Sequence, residues 1–156
     1  MQTLFAGYFL SPLGPLTITA QEEGICDISF CKGAPRIQTV KNTLLQEAFQ
    51  QLNAYFAGQR NVFKLPLVTD GTPFQKKIWE AIYKIPYGQS TTYSQLADSV
   101  KHPASFRAVA NACGQNRIPI IIPCHRILGK NNLGGFSGGL DIKKKLLKQE
   151  GMANLK

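Results

Sequence analysis

Short apolar stretches between Thr3 and Cys31, interrupted by Ser11-Pro12-Leu13-Gly14-Pro15 and by Glu22-Glu23-Gly24, predict three antiparallel strands in a meander. The period then changes. From about Thr39 to Ala57 the residues Val40, Leu44, Leu45, Ala48, Phe49, Leu52, Tyr55 and Phe56 recur at helical spacing, with Gly58 as a stop, which predicts a helix covering one face of the sheet. A further strand is expected over Asn61 to Val68. The turn formers Thr69-Asp70-Gly71-Thr72-Pro73 then mark a linker, so the expected domains are 1–70 and 71–156.

In the second segment, Thr72 is placed to cap a helix with Pro73 at its first position, and Phe74, Ile78, Trp79, Ile82 and Tyr83 form the apolar face. Pro86-Tyr87-Gly88 ends it. A short helix from about Ser94 to Val100, a turn through Lys101-His102-Pro103 and a second helix from Ala104 to about Ala112 follow closely, the pattern of a helix-turn-helix or of two simply packed helices. On the second of these, Arg107 is the one long cation among the small residues Ala108, Val109, Ala110 and Ala112. It is either a solvated surface arginine or a side chain able to enter a DNA groove or fill a vacated base stack.

An apolar run, Asn116-Arg-Ile-Pro-Ile-Ile-Ile-Pro-Cys-His-Arg126, reads as an extended segment delivering Cys124 beside His125. Cys124 is the candidate nucleophile. Pro123 holds the thiol still, while His125 and Arg126 are expected to bias it towards its anionic form; an inert core cysteine gains nothing from such neighbours. Gly129 to Gly139 is a glycine-rich loop without a phosphate-binding signature, suited to bringing backbone close to a flat ligand. Asp141 to Glu150 predicts a closing helix with Ile142, Leu146 and Leu147 inward. Glu150 sits at the unfavourable end for the helix dipole, either as solvent decoration or paired with a base such as His125.

Charge changes the picture: 18 basic residues against 9 acidic ones give +9 over 156 residues, which points to a polyanionic partner, and a hydrophobic share of 44% fits a globular chain. Met1 to Leu10 lacks a basic segment followed by a long apolar core, so no secretion signal and no membrane association are expected. Four irregularly spaced cysteines suggest reduced thiols in a cytoplasm. Cys26 and Cys31 are expected on opposite faces of one strand, which argues against a local disulfide, and no metal-site spacing is present.

The sequence resembles the O6-alkylguanine-DNA alkyltransferases, in particular the bacterial stand-alone, constitutive type. The resemblance runs through Gly71-Thr72-Pro73-Phe74-Gln75, Ile85-Pro86-Tyr87-Gly88, Tyr93-Ser94-Gln95-Leu96-Ala97, Arg107-Ala108-Val109, Asn116, Ile122-Pro123-Cys124-His125-Arg126, Ser137-Gly138-Gly139 and Glu150-Gly151. It is looser in the first domain, through Ser11-Pro12-Leu13-Gly14 and Tyr55-Phe56-Ala57-Gly58. The fold it implies is α+β: a small antiparallel sheet with a covering helix, ribonuclease H-like, then a mostly helical domain with a helix-turn-helix, winged-helix-like.

The activity it implies is direct, stoichiometric and irreversible transfer of an alkyl group from guanine O6, with O4-alkylthymine as a further candidate, in duplex DNA to Cys124 after base flipping. On that resemblance His125 acts on the sulfur through a water and is oriented by Glu150, and Asn116 braces the turn before the cysteine. Tyr93 hydrogen-bonds the flipped guanine, Ser137 approaches O6, and Arg107 replaces the extruded base, with Tyr93 and Ser94 also on the DNA side. Phe136 stands where the family often has tyrosine, keeping a flat wall for the alkyl pocket without a hydroxyl. No cofactor, metal or obligatory protein partner is implied, and the expected state is a monomer on double-stranded DNA.

Two other readings stay open on the residues: a cysteine hydrolase using Cys124 and His125, and a module that binds alkylated bases or regulates transcription without repair. Complete ionisation of an ordinary thiol gives at most roughly 30-fold in rate, so alignment and donors to the leaving guanine must supply most of any acceleration.

Overall fold

The structure, a computed structural model, describes residues 3–31, 42–101 and 106–152, in two compact units that divide between Thr69 and Asp70. In the first unit β1 (Phe5–Ser11), β2 (Gly14–Gln21) and β3 (Gly24–Phe30) form an antiparallel meander in the order β1-β2-β3. Strand alternation sends Leu16, Ile18 and Ala20 of β2 inward, where they are fully buried. Gly14, at φ 105°, makes the first turn, and Ser11 closes it by donating its Oγ hydrogen to the Gly14 carbonyl at 2.6 Å. A register shift at Thr19/Ala20 lets β3 follow.

Helix α1 (Thr43–Phe56) starts at Asn42, whose side chain accepts from the Leu45 amide, and covers the sheet with Leu45, Ala48, Leu52 and Tyr55. Phe49 stacks on Phe9 of β1 with ring centroids 5.7 Å apart. The expected helix start at Thr39, with Val40, lies outside the described residues. The strand expected at Asn61 to Val68 is not one: only Leu67 bridges, to Ile25, while buried Gln51 binds the Lys64 amide and carbonyl at 2.8 and 3.0 Å. The segment is thus held from two sides, by the Gln51 side chain of the helix at Lys64 and by two backbone hydrogen bonds with Ile25 of β3 at Pro66 and Val68, too few to make a strand.

The second unit opens with α2 (Pro73–Tyr83). Its capping box is complete, with Thr72 accepting from the Gln75 amide and Gln75 accepting from the Thr72 amide, and Ile78, Trp79 and Ile82 face inward. The same device, Thr92 with Gln95, starts α3 (Tyr93–Ser99) directly after β4 (Thr91–Thr92). Helix α4 (Phe106–Gly114) follows; the turn through His102 and Pro103 and the start expected at Ala104 lie outside the described residues. Trp79 Nε1 donates to the Ala112 carbonyl at 2.7 Å and locks α2 to α4. Tyr93 meets Phe106 edge-on at 5.8 Å and links α3 to α4. A 3-10 turn (Cys124–Arg126) leads into β5 (Ile127–Leu128), which pairs in parallel with β4, and α5 (Leu140–Gln149) closes the unit. This is the α+β architecture expected, with a three-stranded sheet first and helices after.

Candidate active site

The run from Ile118 to Pro123 is buried, but it is not the extended segment expected. Pro119 and Pro123 cannot donate, and Ile120 is held at φ 75°, a conformation costly for a β-branched residue. The chain instead coils: Ile122 N bonds to Ile118 O at 2.9 Å and Cys124 N to Ile122 O at 2.8 Å. Asn116 spans the coil, donating Nδ2 to Ile122 O at 2.9 Å and accepting from Ile118 N at 3.0 Å. One amide side chain therefore fixes where α4 ends and where Cys124 begins.

Glu150, the residue just after α5, is buried and accepts hydrogen bonds from three residues among those described. They come from His125 Nε2 at 2.7 Å, Arg126 Nε at 2.7 Å, Arg126 Nη2 at 3.0 Å and the Gly88 amide at 3.3 Å. These donors offset the unfavourable helix-dipole position. Arg126 also donates Nη1 to Ile85 O at 2.6 Å. Because Nε2 faces a carboxylate it carries the proton, which leaves Nδ1, buried and without a hydrogen-bond partner among the described residues, as an acceptor.

Two expectations about charge are corrected here. Arg126 is turned to Glu150 in a bidentate pair and does not serve the thiol, and Cys124 is not biased towards its anion: burial pushes the thiol up, against the Asn116 amide and the Lys143 charge, which favour the anion. Burial also lowers His125 against the pull of Glu150, so the imidazole is neutral.

That has a consequence for stability. Below its ordinary value of 6.5 the unfolded chain protonates this histidine more readily than the folded protein does. Its contribution is therefore complete above that pH and is lost progressively as pH falls towards the lower folded value. Thermal melts are expected to give a lower Tm at pH 5.5 than at pH 7.5, with a smaller gap in His125→Gln, and an equal gap in both proteins would contradict the assignment.

Cys124 opens on a recess of about 160 Å³ walled by Tyr93, Cys113, Gly135, Phe136 and Ser137. The glycine-rich loop approaches Tyr93 closely: a Cβ on Gly134, at φ 73°, would lie 2.8 Å from the ring, and the Gly135 amide donates to the Tyr93 hydroxyl at 3.3 Å. Burial raises Tyr93, so its phenol keeps a proton to give. A wider groove of about 510 Å³ shares Tyr93 and Gly135 with the recess and continues past Phe106, Lys130 and Asn131. The structure thus gathers Cys124, Tyr93, Phe136 and Ser137 at one recess, with His125, Glu150 and Asn116 in the buried layer beneath. Ser94 and Arg107 are exposed on α3 and α4.

Sequence reasoning missed Cys113 and Lys143. Burial pushes Cys113 up to about 12. Lys143, fully buried, donates to Ile127 O at 2.6 Å and Gly135 O at 3.0 Å. The signal for Lys143 was present, since it shares the inward stripe of α5 with Leu146, Leu147 and Glu150 at helical spacing. No cluster of metal-ligating side chains occurs among the described residues.

Two family models match the chain. The 6-O-methylguanine DNA methyltransferase ribonuclease-like domain matches residues 4–69, and the DNA-binding domain of the same family matches residues 73–152. A methylated-DNA–protein-cysteine methyltransferase of Methanosarcina acetivorans is 43% identical over 95% of this chain and 99% of its own length. The constitutive Bacillus subtilis enzyme of that name is 43% identical over 90% and 91%. The crystal structure of Mycobacterium tuberculosis OGT in complex with DNA superposes with a TM-score of 0.82 at 37% identity, covering 92% of this chain and 90% of that one.

Proposed function

The chain belongs to the 6-O-methylguanine DNA methyltransferase family, and on that footing we propose that it repairs duplex DNA by moving the alkyl group of O6-alkylguanine irreversibly onto Cys124. The observation that carries the assignment is the placement of the Cys124 sulfur at the floor of a recess with a flat wall and hydroxyl groups, above a buried His125–Glu150 pair.

The flipped base enters by the groove beside Phe106 and its O6 substituent reaches the recess. As sulfur attacks the alkyl carbon, the C–O bond breaks and negative charge moves onto guanine. The thiol proton passes through a water to His125 Nδ1, and the developing imidazolium faces Glu150. Tyr93 donates its phenolic proton towards the departing guanine, and Ser137 supplies a donor near O6. A neutral histidine in the resting site is what this sequence of steps requires, because only then is Nδ1 free to accept. The product thioether has no easy leaving reaction, so each molecule acts once.

Segment 71–156 carries DNA binding and alkyl transfer on this reading, and 1–70 is its N-terminal companion domain. Exposed Arg107 on α4 and Ser94 on α3 meet the duplex, with Arg107 filling the gap left by the base. The charge of +9 favours sequence-independent binding that weakens as salt rises. We place the protein in the cytoplasm on its reduced-thiol chemistry: none of the four cysteines is in a disulfide. No helix among the described residues is long and apolar enough to cross a membrane.

Duplex DNA with a labelled methyl on guanine O6 tests the proposal. Label recovered on Cys124 with guanine restored in the DNA is expected; label released into solution indicates a hydrolase, and bound, unaltered DNA indicates a sensor. Arg107→Ala is expected to slow transfer from duplex DNA on the order of tenfold, since unstacking is then uncompensated, while leaving reaction with the free base O6-methylguanine unchanged. Equal slowing of both substrates would place Arg107 in the chemistry instead.

A further inference from the structure

Lys143 is a fully buried cation that the steps above do not use. Its ammonium is fixed by two carbonyls, Ile127 O at 2.6 Å just beyond the Cys124 turn and Gly135 O at 3.0 Å in the wall of the recess. It has no acidic partner among the described ion pairs, whereas the neighbouring Arg126 is matched by Glu150. A lysine buried without a carboxylate is costly and is expected only where its charge serves something.

We propose that Lys143 is the positioning residue of this site: its charge stabilises the anion that develops on Cys124, and its two hydrogen bonds hold the Gly135–Ser137 wall at a fixed distance from the sulfur. The inference rests on the reading of Cys124 as acceptor. In the resting site the other groups near the sulfur do not supply the charge. His125 on the same turn is neutral, Arg126 is compensated by Glu150, and Tyr93 of α3 and Cys113 of α4 are both raised by burial and uncharged at neutral pH.

Lys143 is the cation whose field favours the Cys124 anion, and it is held down to about 8 by burial while the sulfur pulls the other way. The two groups are therefore electrostatically coupled. The carbonyl contacts explain why the amine is placed there and not in solvent: a buried ammonium needs acceptors, and the turn after Cys124 and the glycine-rich loop each supply one.

Iodoacetamide, which loses iodide as the sulfur–carbon bond forms, reads the thiolate of Cys124 without DNA. Lys143→Met, similar in shape and uncharged, is expected to slow Cys124 alkylation and methyl transfer at pH 7, where the parent's Lys143 carries its charge, each about tenfold. Lys143→Arg, which keeps the charge, is expected to recover most of both. A folded Lys143→Met protein with the parent's rates overturns the inference.

Should that variant not fold, the pH dependence of Cys124 alkylation in the parent protein decides. The rate is expected to flatten above about pH 8, where Lys143 loses its charge, and a rate that climbs about tenfold per pH unit through that range overturns the inference. If alkylation behaves as expected while the parent removes no methyl group from DNA, the Lys143 assignment stands and the repair reading falls.

Discussion

Cys124→Ala is expected to abolish methyl removal from O6-methylguanine DNA while leaving DNA binding and its salt dependence intact. The reason is that the recess offers no effective substitute. Cys113 lines the same wall, but with a thiol pushed up to about 12 its ionised fraction at neutral pH is on the order of one in 10⁵. His125 is buried and does not line the recess, and the Tyr93 and Ser137 hydroxyls are weak nucleophiles. The change removes one sulfur from a site already braced by Asn116, so folding is expected to survive. Transfer assays paired with gel-shift titrations of the same preparation separate chemistry from binding. Methyl recovered on Cys113 in the variant would show that the recess, and not one particular sulfur, is the acceptor.

Glu150→Ala is expected to be the most destabilising single change in the second unit. It leaves the Arg126 guanidinium buried with Ile85 O as its remaining acceptor among the described residues, and strands the His125 Nε2 proton and the Gly88 amide. Breaking a buried pair from one side costs about 3–5 kcal/mol, a large share of the total stability of an ordinary domain. Urea unfolding is expected to show that loss. Where the variant is still folded, transfer is expected to fall on the order of a hundredfold, because the imidazole loses the group that fixes its tautomer and orientation. Glu150→Gln keeps acceptor oxygen but not charge and should lie between. A Glu150→Ala protein within 1 kcal/mol of the parent, by contrast, would mean that Arg126 finds another partner.

Much of this site is legible in the chain because local rules and chemistry agree there. Thr72 with Gln75 is a capping box in sequence and in structure, and Glu150 continues the inward spacing of Leu146 and Leu147 and meets His125. What was not legible depends on the third dimension. The Ile118 to Pro123 run has the composition of a strand, yet two prolines and an unusual Ile120 backbone coil it. Neighbouring basic residues suggested an activated thiol, whereas burial, which no local pattern reveals, moves Cys124 the other way and leaves Arg126 to Glu150. Activation therefore belongs to the moment of reaction and not to the resting thiol. The two-residue pairing of β4 with β5 is too short to leave a pattern, yet it sets the start of α3 beside the segment that follows Cys124.

The decisive measurement is a count. Increasing amounts of duplex DNA carrying radiolabelled O6-methylguanine are incubated with a fixed amount of protein, and methyl groups removed are compared with protein molecules present. A plateau at one methyl per protein is expected, with all label on the peptide containing Cys124 and no recovery on longer incubation. Removal that continues past one equivalent, or label on any other residue, would contradict Cys124 as a sacrificial acceptor.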